Sequence, residues 1–312
     1  MIVALAGGVG GAKLAQGLYR ALPPGELTVI GNTADDFTHF GLRISPDLDT
    51  VLYTLAGLAN PATGWGVAGD TFRTMEQLGR LGADTWFLVG DVDFATHIRR
   101  SQLLHQGLSL TEVTASLLAG LGVRATLLPM CDEPVGTIVE TPAGTLHFQD
   151  YFVRRRHQDQ VSAVSFAGID RATLPGGVAA ALREAAAIVL CPSNPIVSLG
   201  PILAVPGFRD LLREAPGAKV AVSPIVGGRA LKGPADQMLA NLGHDVSPLG
   251  VARLYRDFLD GFVLDREDAA AVPAIEALGL PVLVTQTIMG DAGDRRRLAE
   301  EVLAFAGTLK GR

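Results

Sequence analysis

Ile2-Val-Ala-Leu-Ala6 runs directly into Gly7-Gly-Val-Gly-Gly11, and this stretch decides the fold. The short apolar run predicts a buried strand, the glycines predict a tight loop, and the apolar residues recurring from Leu14 onwards predict a helix. Glycines let a ligand approach the backbone closely, and a helix N-terminus offers free N–H groups to a phosphate. A tight strand–helix turn without a ligand is the alternative. We predict phosphate binding by Gly8, Gly10, Gly11 and Lys13.

Two standard nucleotide-binding fingerprints fit this loop poorly. A Walker loop requires G-x-x-x-x-G-K-[ST], but the glycine spacing differs and Leu14 stands where the metal-binding hydroxyl should be. A dinucleotide fingerprint that begins at Gly8 continues correctly to Gly10 and then meets Lys13 at its third glycine position. An NAD-binding role is therefore weakened and stays open.

The composition limits the class of protein. The chain has 312 residues, of which 48% are hydrophobic, so it can bury a substantial core. A net charge of −6 argues against general nucleic-acid binding. No segment reaches 18 uninterrupted apolar residues, and Cys131 and Cys191 lack the spacing of a zinc site or a disulfide framework. We expect a cytoplasmic protein that binds neither nucleic acid nor membrane.

Strand-like runs recur along the chain with helical patterns between them, which is typical of parallel sheets. The predicted strands are Ile2–Ala6, Leu27–Gly31, Ala125–Met130, Ala187–Cys191, Lys219–Ser223, Gly261–Leu264 and Pro281–Thr285. A further pair, Thr137–Thr141 and Thr145–Gln149, predicts an antiparallel hairpin. The predicted fold class is therefore α/β: a three-layer α/β/α, Rossmann-like, mostly parallel sheet.

One region interrupts this alternation. Residues 49–122 contain helix-like segments and a single short strand candidate, Trp86–Val89, so we predict a smaller, mainly helical insertion. The Rossmann-like domain would then comprise residues 1–48 and 123–312. The predicted helices of the insertion are Thr50–Leu58, Thr71–Leu81, Ala95–Gln106 and Ser109–Leu121. Ser109-Leu-Thr-Glu112 has the pattern of a capping box.

Polar residues follow several predicted strands, where ligands bind in open parallel sheets. The segments are 32–36, 45–50, 91–93 and 192–195. Carboxylates close to a phosphate loop would repel the ligand unless a cation such as Mg²⁺ lay between them. Asp47 and Asp49 would share one face of an extended segment. For Asp49, a helix cap and a metal ligand are both open interpretations; for Asp91 and Asp93, a cap or turn is favoured.

Three further features are weaker signals. His97 follows Asp93 by one helical turn and is interpreted first as a structural histidine. The charge run Arg154–His157 is typical of a solvated face. Trp65, between two glycines, is suited either to stacking on a planar ring or to pinning a loop.

Taken together, the motifs resemble the 2-phospho-L-lactate transferase family, which builds the deazaflavin coenzyme F-420. The resemblance covers essentially the whole chain and rests on the order and spacing of its segments. The matching segments are Ala6-Gly-Gly-Val-Gly-Gly11, Asn32-Thr-Ala-Asp-Asp36, the stretch from Ser45 to Thr54, Gly64-Trp-Gly66, Ala95-Thr-His-Ile98, Leu128-Pro-Met130, His147-Phe-Gln-Asp150, Ser193-Asn-Pro195 and Ser223-Pro-Ile225.

The resemblance implies a reaction. A guanosine diphosphate ester of a small hydroxy acid (lactyl, enolpyruvyl or a glycerate analogue) would donate its phospho-acid group to the ribityl hydroxyl of the deazaflavin Fo, and GMP would leave. Mg²⁺ would shield the diphosphate, with Asp49 as metal and acceptor-site residue and Asp36 as a second carboxylate. The family suggests a homodimer. Substrate-binding roles fall by position on Gly8, Gly10, Gly11, Lys13, Asn32, Asp49, Ser193 and Asn194.

The chain departs from the family pattern in one segment. Relatives more usually carry a basic residue between the two aspartates of Gly-Asp-x-Asp, and a leucine or similar residue after them. Val92 and Phe94 occupy those positions here. Any ligand contact made by that basic residue would have to pass to another group, such as Arg99 or Arg100.

Two other functions remain as alternatives. One is a non-enzymatic regulatory protein that binds nucleotide sugars on a similar glycine loop. The other is an NAD-dependent oxidoreductase. The paired carboxylates of Pro46-Asp-Leu-Asp49 favour the transferase, because a regulator does not need a metal site.

Overall fold

The structure is a computed structural model that describes residues 1–309. The strands are β1 (Ile2–Ala6), β2 (Leu27–Gly31), β3 (Phe37–His39), β4 (Leu42–Ile44), β5 (Thr126–Pro129), β6 (Gly136–Thr141), β7 (Gly144–His147), β8 (Ala163–Ala167), β9 (Ala187–Leu190), β10 (Ala218–Val222), β11 (Ile225–Val226), β12 (Arg229–Ala230), β13 (Gly261–Asp265) and β14 (Val282–Thr285). The helices are α1 (Gly8–Ala21), α2 (Pro46–Leu55), α3 (Arg73–Arg80), α4 (Asp91–His105), α5 (Leu110–Gly120), α6 (Gly176–Glu184), α7 (Leu199–Ala204), α8 (Phe208–Glu214), α9 (Ala235–Asn241), α10 (Pro248–Tyr255), α11 (Val272–Glu276) and α12 (Ala292–Thr308).

A parallel sheet forms the centre of the fold. Within residues 1–309 its seven strands lie in the order β14-β13-β10-β9-β1-β2-β5, and every neighbouring pair is parallel. The predicted α/β class is confirmed, and each predicted strand of the sheet is present to within one or two residues. The period-2 alternation of apolar side chains explains the layers, because successive residues face opposite sides of a strand.

Both faces of the sheet are covered by helices. Val3 and Leu5 of β1 belong to the hydrophobic core on one face, which α6, α7, α8 and α10 help to build. Ala4 and Ala6 belong to the core on the other face, which α1, α2, α5 and α12 help to build. This arrangement is the predicted three-layer α/β/α architecture.

The strand order reverses direction beside β1. From β1 the chain continues to β2 and β5 on one side, and returns through β9, β10, β13 and β14 on the other. The loops after β1 and β9 therefore diverge at a topological switch point, where open α/β sheets bind their ligands. This position brings the glycine loop beside Pro192 and Ser193.

The helical region differs from the prediction in two places. Trp86–Val89 is not a strand, because this segment lies against neighbouring aromatic rings without a strand partner. An unpredicted hairpin, β3–β4, precedes α2. The proposed boundary at residue 49 falls inside α2, which begins at Pro46 and packs in the main core through Leu48 and Val51. The division of the chain into two domains stays a prediction.

Aspartate side chains cap the N-termini of two helices of this region, α3 and α4. Asp70 accepts hydrogen bonds from the N–H groups of Val92 and of the residue after it, at the start of α4. Asp91 in turn accepts from the N–H groups of Arg73 and of the next residue, at the start of α3. Free N–H groups at a helix start favour carboxylate partners. The predicted capping box at Ser109 is also confirmed.

The predicted antiparallel hairpin is confirmed as β6–β7, and β8 adds a third strand. After β7 the chain forms a π-helical turn over Asp150–Arg154. In the part of the chain that the structure describes, no helix combines the length and apolarity needed to cross a membrane.

Candidate active site

A cleft of about 590 Å³ opens at the carboxyl ends of the central strands. Its wall is built from chain segments that are far apart in sequence. They include parts of 7–13, 44–53, 63–66, 86–97, 148–153, 192–198, 223–235 and 287–289, together with Asp35. Of the predicted site residues, five line it: Gly8, Gly10, Lys13, Asp49 and Asn194.

The glycine loop is shaped as much by packing as by ligand access. A Cβ on Gly10 would lie 2.3 Å from the carbonyl oxygen of Pro192, and one on Gly11 would lie 2.3 Å from Ser193 Oγ. Real Cβ atoms do not approach so closely, so α1 can meet the loop after β9 only because these positions lack side chains. Gly11 is buried behind the cleft wall. Gly8, with φ of 62°, adopts the left-handed conformation that glycine favours.

Lys13 supplies a positive charge at this end of the cleft. Its ammonium group donates a hydrogen bond to the carbonyl oxygen of Met289 at 3.0 Å. Burial, with the nearby charges of Arg295 and Lys232, lowers the pKa of Lys13 below its usual value. Lys232 also lines the cleft and donates to the carbonyl oxygen of Thr63 at 3.2 Å. Each ammonium group donates one hydrogen bond to a carbonyl oxygen. Its remaining N–H groups and its positive charge are available to bind an anion.

Asp47 and Asp35 are buried carboxylates, and both line the cleft. Asp47 accepts hydrogen bonds from the N–H of Gly8 at 2.8 Å and from Asn32 Nδ2 at 2.9 Å. Burial raises the pKa of Asp47. Burial and the charge of Asp47 together raise the pKa of Asp35 well above its usual range. Neither is among the predicted site residues, although Asp47 belongs to the paired carboxylates of 46–49 and Asp35 to the polar segment 32–36.

Asp49 is held by an arginine from another helix. Arg100 of α4, which is 1% exposed, contacts both carboxylate oxygens of Asp49. Asp49 is not a helix cap, because Ser45 occupies the N-cap position of α2. The expectation that Asp47 and Asp49 share an extended face is wrong, because α2 already begins at Pro46. Asp49 therefore stands on the first turn of a helix, at the cleft wall.

Asp36 does not line the cleft. One oxygen of its carboxylate accepts from Ser45 Oγ at 2.7 Å and lies 3.2 Å from the guanidinium of Arg43. Burial raises the pKa of Asp36 to about 7, although the charge of Arg43 opposes this shift. Of the two predicted metal ligands, Asp49 is thus beside the cleft and Asp36 is behind it.

Of three further predicted substrate-binding residues, one lines the cleft and two lie behind its wall. Asn32 is fully buried; it donates to Asp47 and to the carbonyl oxygen of Val197. Ser193 accepts from the N–H of Gly7 at 3.1 Å, and it does not line the cleft. Asn194 lines the cleft, while its side-chain oxygen accepts from backbone N–H groups of its own loop. Asn32 and Ser193 therefore position other groups.

A buried group that the sequence analysis did not assign lies on the opposite wall. Asp93 accepts a hydrogen bond from Tyr53 Oη at 2.5 Å, and its Oδ1 lies 3.2 Å from Nε2 of His97. Burial alone would raise the pKa of Asp93, but the contacts with His97 and Tyr53 outweigh it and lower the pKa. The favoured cap interpretation holds for Asp91 and is wrong for Asp93, whose carboxylate turns towards the cleft.

Aromatic rings cover part of the cleft. Trp65, which is 43% exposed, lines it together with Trp86, Phe148 and Phe152. The guanidinium of Arg154 lies 4.8 Å from the ring centroid of Trp86. Arg154 is exposed, as predicted for a solvated face, and it also packs over this ring. Flat apolar surfaces of this kind suit a planar aromatic ligand.

The carboxylates determine which metal chemistry is feasible. Within residues 1–309, no group of three or more His, Cys, Asp or Glu side chains is arranged to hold a metal ion. Mg²⁺ is usually bound by one or two carboxylates together with substrate phosphates and water. Asp35 and Asp47 fit this requirement, because a divalent cation would neutralise the mutual repulsion that raises the pKa of Asp35.

Comparison with known proteins gives the family. The sequence profile described as "2-phospho-L-lactate transferase CofD" matches residues 2–277. The chain belongs to the 2-phospho-L-lactate transferase family. It is 41% identical over 308 residues to the 2-phospho-L-lactate transferase of Methanococcoides burtonii, covering 99% of this chain and 100% of the relative. It is 43% identical over 315 residues to the phosphoenolpyruvate transferase of Streptomyces griseus, covering 99% of each chain.

A solved structure shares the fold. The crystal structure of a UPF0052 family member from Bacillus halodurans superposes with a TM-score of 0.67 over 97% of this chain and 98% of that one, at 16% identity. Membership of the 2-phospho-L-lactate transferase family makes the chain a transferase of coenzyme F-420 biosynthesis. The family match favours this function over the nucleotide-sugar regulator and the oxidoreductase.

The departures from the family pattern take distinct positions. Val92 is 56% exposed, whereas Phe94 is buried with Met75 and Val89 in a small apolar cluster. Of the two arginines considered as substitutes, Arg99 bonds to Gln102 at the surface; Arg100 reaches Asp49 in the interior. The buried guanidinium of Arg100 therefore acts on a carboxylate of the cleft.

Proposed function

We propose that this transferase moves a phospho-hydroxyacid group from a guanosine diphosphate ester to the ribityl hydroxyl of the deazaflavin Fo, with Mg²⁺ as cofactor and GMP as the second product. One observation carries the proposal: a single cleft combines cationic, acidic and aromatic walls. A diphosphate, a divalent cation and a planar ring each require one of these surfaces. The printed names of the relatives supply the group transferred, phospholactate or phosphoenolpyruvate.

The donor would lie with its diphosphate at the end of the cleft formed by Lys13, Lys232 and the start of α1. The two ammonium groups come from segments more than 200 residues apart and meet at this end of the cleft. Charge-assisted hydrogen bonds to phosphate are among the strongest that a protein forms. The N-terminus of α1 contributes its dipole, with Gly8 and Gly10 allowing close approach.

The cation would lie among the cleft-facing carboxylates. The resemblance implied Asp49 and Asp36 as its ligands, but Asp36 is behind the wall and bonded to Ser45. We therefore propose that one or two of the cleft-lining carboxylates Asp35, Asp47 and Asp49 would bind Mg²⁺, together with the substrate diphosphate and water. When bound, the ion would supply charge neutralisation to the diphosphate, which is the main requirement of phosphoryl transfer.

The acceptor would place its planar ring against the aromatic wall that includes Trp65 and Trp86. Apolar and aromatic surfaces bury such rings favourably, and the Arg154 guanidinium lies over the ring of Trp86. The ribityl chain would then extend towards the carboxylates.

The test is a direct assay. Purified protein would be incubated with Fo, Mg²⁺ and, separately, the lactyl, enolpyruvyl and glyceryl guanosine-diphosphate donors. We expect a phospho-acid deazaflavin and stoichiometric GMP by mass spectrometry with one of the three donors. No product with any of them would refute the proposal, and the ranking of rates would identify the preferred donor.

Matched binding measurements separate the alternatives. Isothermal titration with a UDP-sugar and fluorescence titration with NADH should both give no saturable binding, whereas Fo should bind. Omission of Mg²⁺ with added chelator should stop turnover. A homodimer in the cytoplasm remains our expectation, and light scattering of the purified protein checks the dimer.

A further inference from the structure

The cleft carries several carboxylates, and their contacts differ. One oxygen of Asp47 accepts a hydrogen bond from Gly8 and the other accepts one from Asn32. Both oxygens of Asp49 contact Arg100. Asp93 is different, because Tyr53 and His97 both approach the same oxygen, Oδ1. Within residues 1–309, Oδ2 of Asp93 has no hydrogen-bond partner. Asp93 is only 7% exposed and lines the cleft.

His97 is excluded as a proton acceptor by its own contacts. Nη1 of Arg100 lies 3.1 Å from Nδ1 of His97. Arginine only donates hydrogen bonds, so Nδ1 must be the acceptor nitrogen of the imidazole. The ring proton is then on Nε2, which faces Asp93 Oδ1 at 3.2 Å. His97 therefore has no free lone pair to offer a substrate, and its Nε2 lies close to one oxygen of Asp93.

We propose that Asp93 is the general base of the transfer reaction, with the hydrogen bond from Tyr53 holding Oδ1 beside His97 so that Oδ2 faces the acceptor hydroxyl. This inference rests on the proposed function and deepens it. The position is suitable because Asp93 belongs to the aromatic side of the cleft: it lies on α4, which begins a few residues after Trp86. A single imidazole, that of His97, separates it from Asp49, whose Oδ2 lies 3.7 Å from Nδ1.

The step balances with the substrates already named. Oδ2 of Asp93 takes the proton of the ribityl hydroxyl, and the hydroxyl oxygen forms a bond to the phosphorus that bears the hydroxy acid. The bond between that phosphorus and the bridging oxygen breaks, and GMP leaves with the electron pair. Asp93 then gives its proton to solvent.

Tyr53 is a positioning residue in this scheme. It belongs to α2, one helical turn after Asp49, and donates to Asp93 across the interface between α2 and α4. Its hydroxyl orients the base without touching the reacting atoms. Orientation of a catalytic group by a fixed partner typically matters less than the group itself.

The test compares Asp93→Asn with wild type, using the donor and Fo that give product in the direct assay. We expect kcat to fall by about 100-fold or more, because general-base catalysis usually contributes that much. The KM for Fo should stay within about threefold, because the amide retains the shape of the carboxylate. A correctly folded Asp93→Asn enzyme with near-normal kcat would overturn the proposal.

A second variant distinguishes catalysis from structure. Asp93→Ala opens a space for a small carboxylate, and we expect added formate to restore part of its turnover in a saturable manner. Formate should not accelerate Asp93→Asn, which leaves no such space. Loss of turnover in Asp93→Ala without rescue by formate would assign Asp93 a structural role and overturn the inference.

Two matched controls complete the experiment. Asp91→Asn changes a carboxylate on the same helical turn that caps α3 and does not line the cleft; it should lower the melting temperature and leave kcat unchanged. Tyr53→Phe should reduce kcat by about tenfold with unchanged KM. If wild type itself makes no product with any donor, the proposed function fails, and this outcome is distinct from active Asp93→Asn.

Discussion

The two walls of the cleft are built in opposite ways. The glycine-loop wall is local in sequence: β1, the loop and α1 follow one another, and the absence of side chains at Gly10 and Gly11 permits their close approach to the loop after β9. The wall formed by α2 and α4 is built from charges that lie about 50 residues apart, with Arg100 buried against Asp49. The first wall depends on close backbone packing, and the second depends on buried, paired charges.

This difference explains which kind of change each wall tolerates. A close-packed backbone is sensitive to added volume and insensitive to charge. A buried ion pair is sensitive to the loss of either partner, because the remaining charge is left without compensation. Substitutions in the two walls should therefore affect turnover, packing and pH dependence to different degrees.

Asp49→Asn should have the largest effect. Turnover should fall by about 100-fold or more, because a carboxylate that would bind the charge-neutralising Mg²⁺ is lost. The free energy of unfolding should also fall by about 3 kcal/mol, because the Arg100 guanidinium stays buried without its partner. Steady-state kinetics and urea denaturation measure the two effects.

The double variant Asp49→Asn with Arg100→Gln is the control for this prediction. It removes both charges, so it should regain most of the lost stability while turnover stays low. Near-normal turnover of Asp49→Asn at saturating Mg²⁺ would remove Asp49 from the metal role. Stability that does not return in the double variant would contradict the electrostatic account.

Gly10→Ala should destabilise the protein without altering any charge. The new Cβ would lie 2.3 Å from the carbonyl oxygen of Pro192, so α1 or the loop after β9 must move. Overpacking of this kind costs about 1–3 kcal/mol, measured by urea denaturation. Gly120→Ala in α5, where nothing lies within 4 Å of the added Cβ, should be neutral or stabilising. Equal effects of the two substitutions would contradict the packing role of the loop.

Asp36→Asn should change the pH dependence of stability. In the folded protein the pKa of Asp36 is about 7, which is above its value in the unfolded chain. Below the unfolded pKa this carboxyl group therefore does not lower the free energy of unfolding. As the pH rises from there towards 7, it lowers that free energy increasingly. Relative to wild type, the variant should gain about 2 kcal/mol in unfolding free energy between pH 5 and pH 8. Denaturation series in chelator at both pH values measure this gain. A pH-independent difference would show that Asp36 is charged throughout.

Lys13→Met should have the smallest effect. Loss of one charge-assisted phosphate contact weakens binding by about tenfold, so the KM for the donor should rise by that factor and the KM for Fo should not. Arg20→Gln removes one positive charge from the exposed end of the same helix, and it should leave both values unchanged. A Lys13→Met enzyme with an unaltered donor KM would place the diphosphate elsewhere in the cleft.

The features that could be predicted from the sequence are those that depend on residues close together along the chain. The strands of the sheet, the hairpin and the capping box at Ser109 could be predicted because apolar periodicity and capping depend on neighbouring residues. Trp86–Val89 could not be distinguished from a strand, because an apolar run has the same pattern whether it pairs or lies against aromatic rings. The sequence favours a cap for Asp93, because it comes just before the predicted helix Ala95–Gln106. Capping carboxylates and catalytic carboxylates both occur at that position.

The α/β fold, the location of the cleft at the strand ends and the family could all be predicted from local pattern or motif order. Which carboxylates face the cleft became evident only from the packing of distant segments. Asp35 and Asp36 are neighbours in sequence, yet one lines the wall and the other bonds to Ser45 behind it. The physical reason is that burial and charge partners come from distant segments, and these set the orientation and the pKa of each carboxyl group.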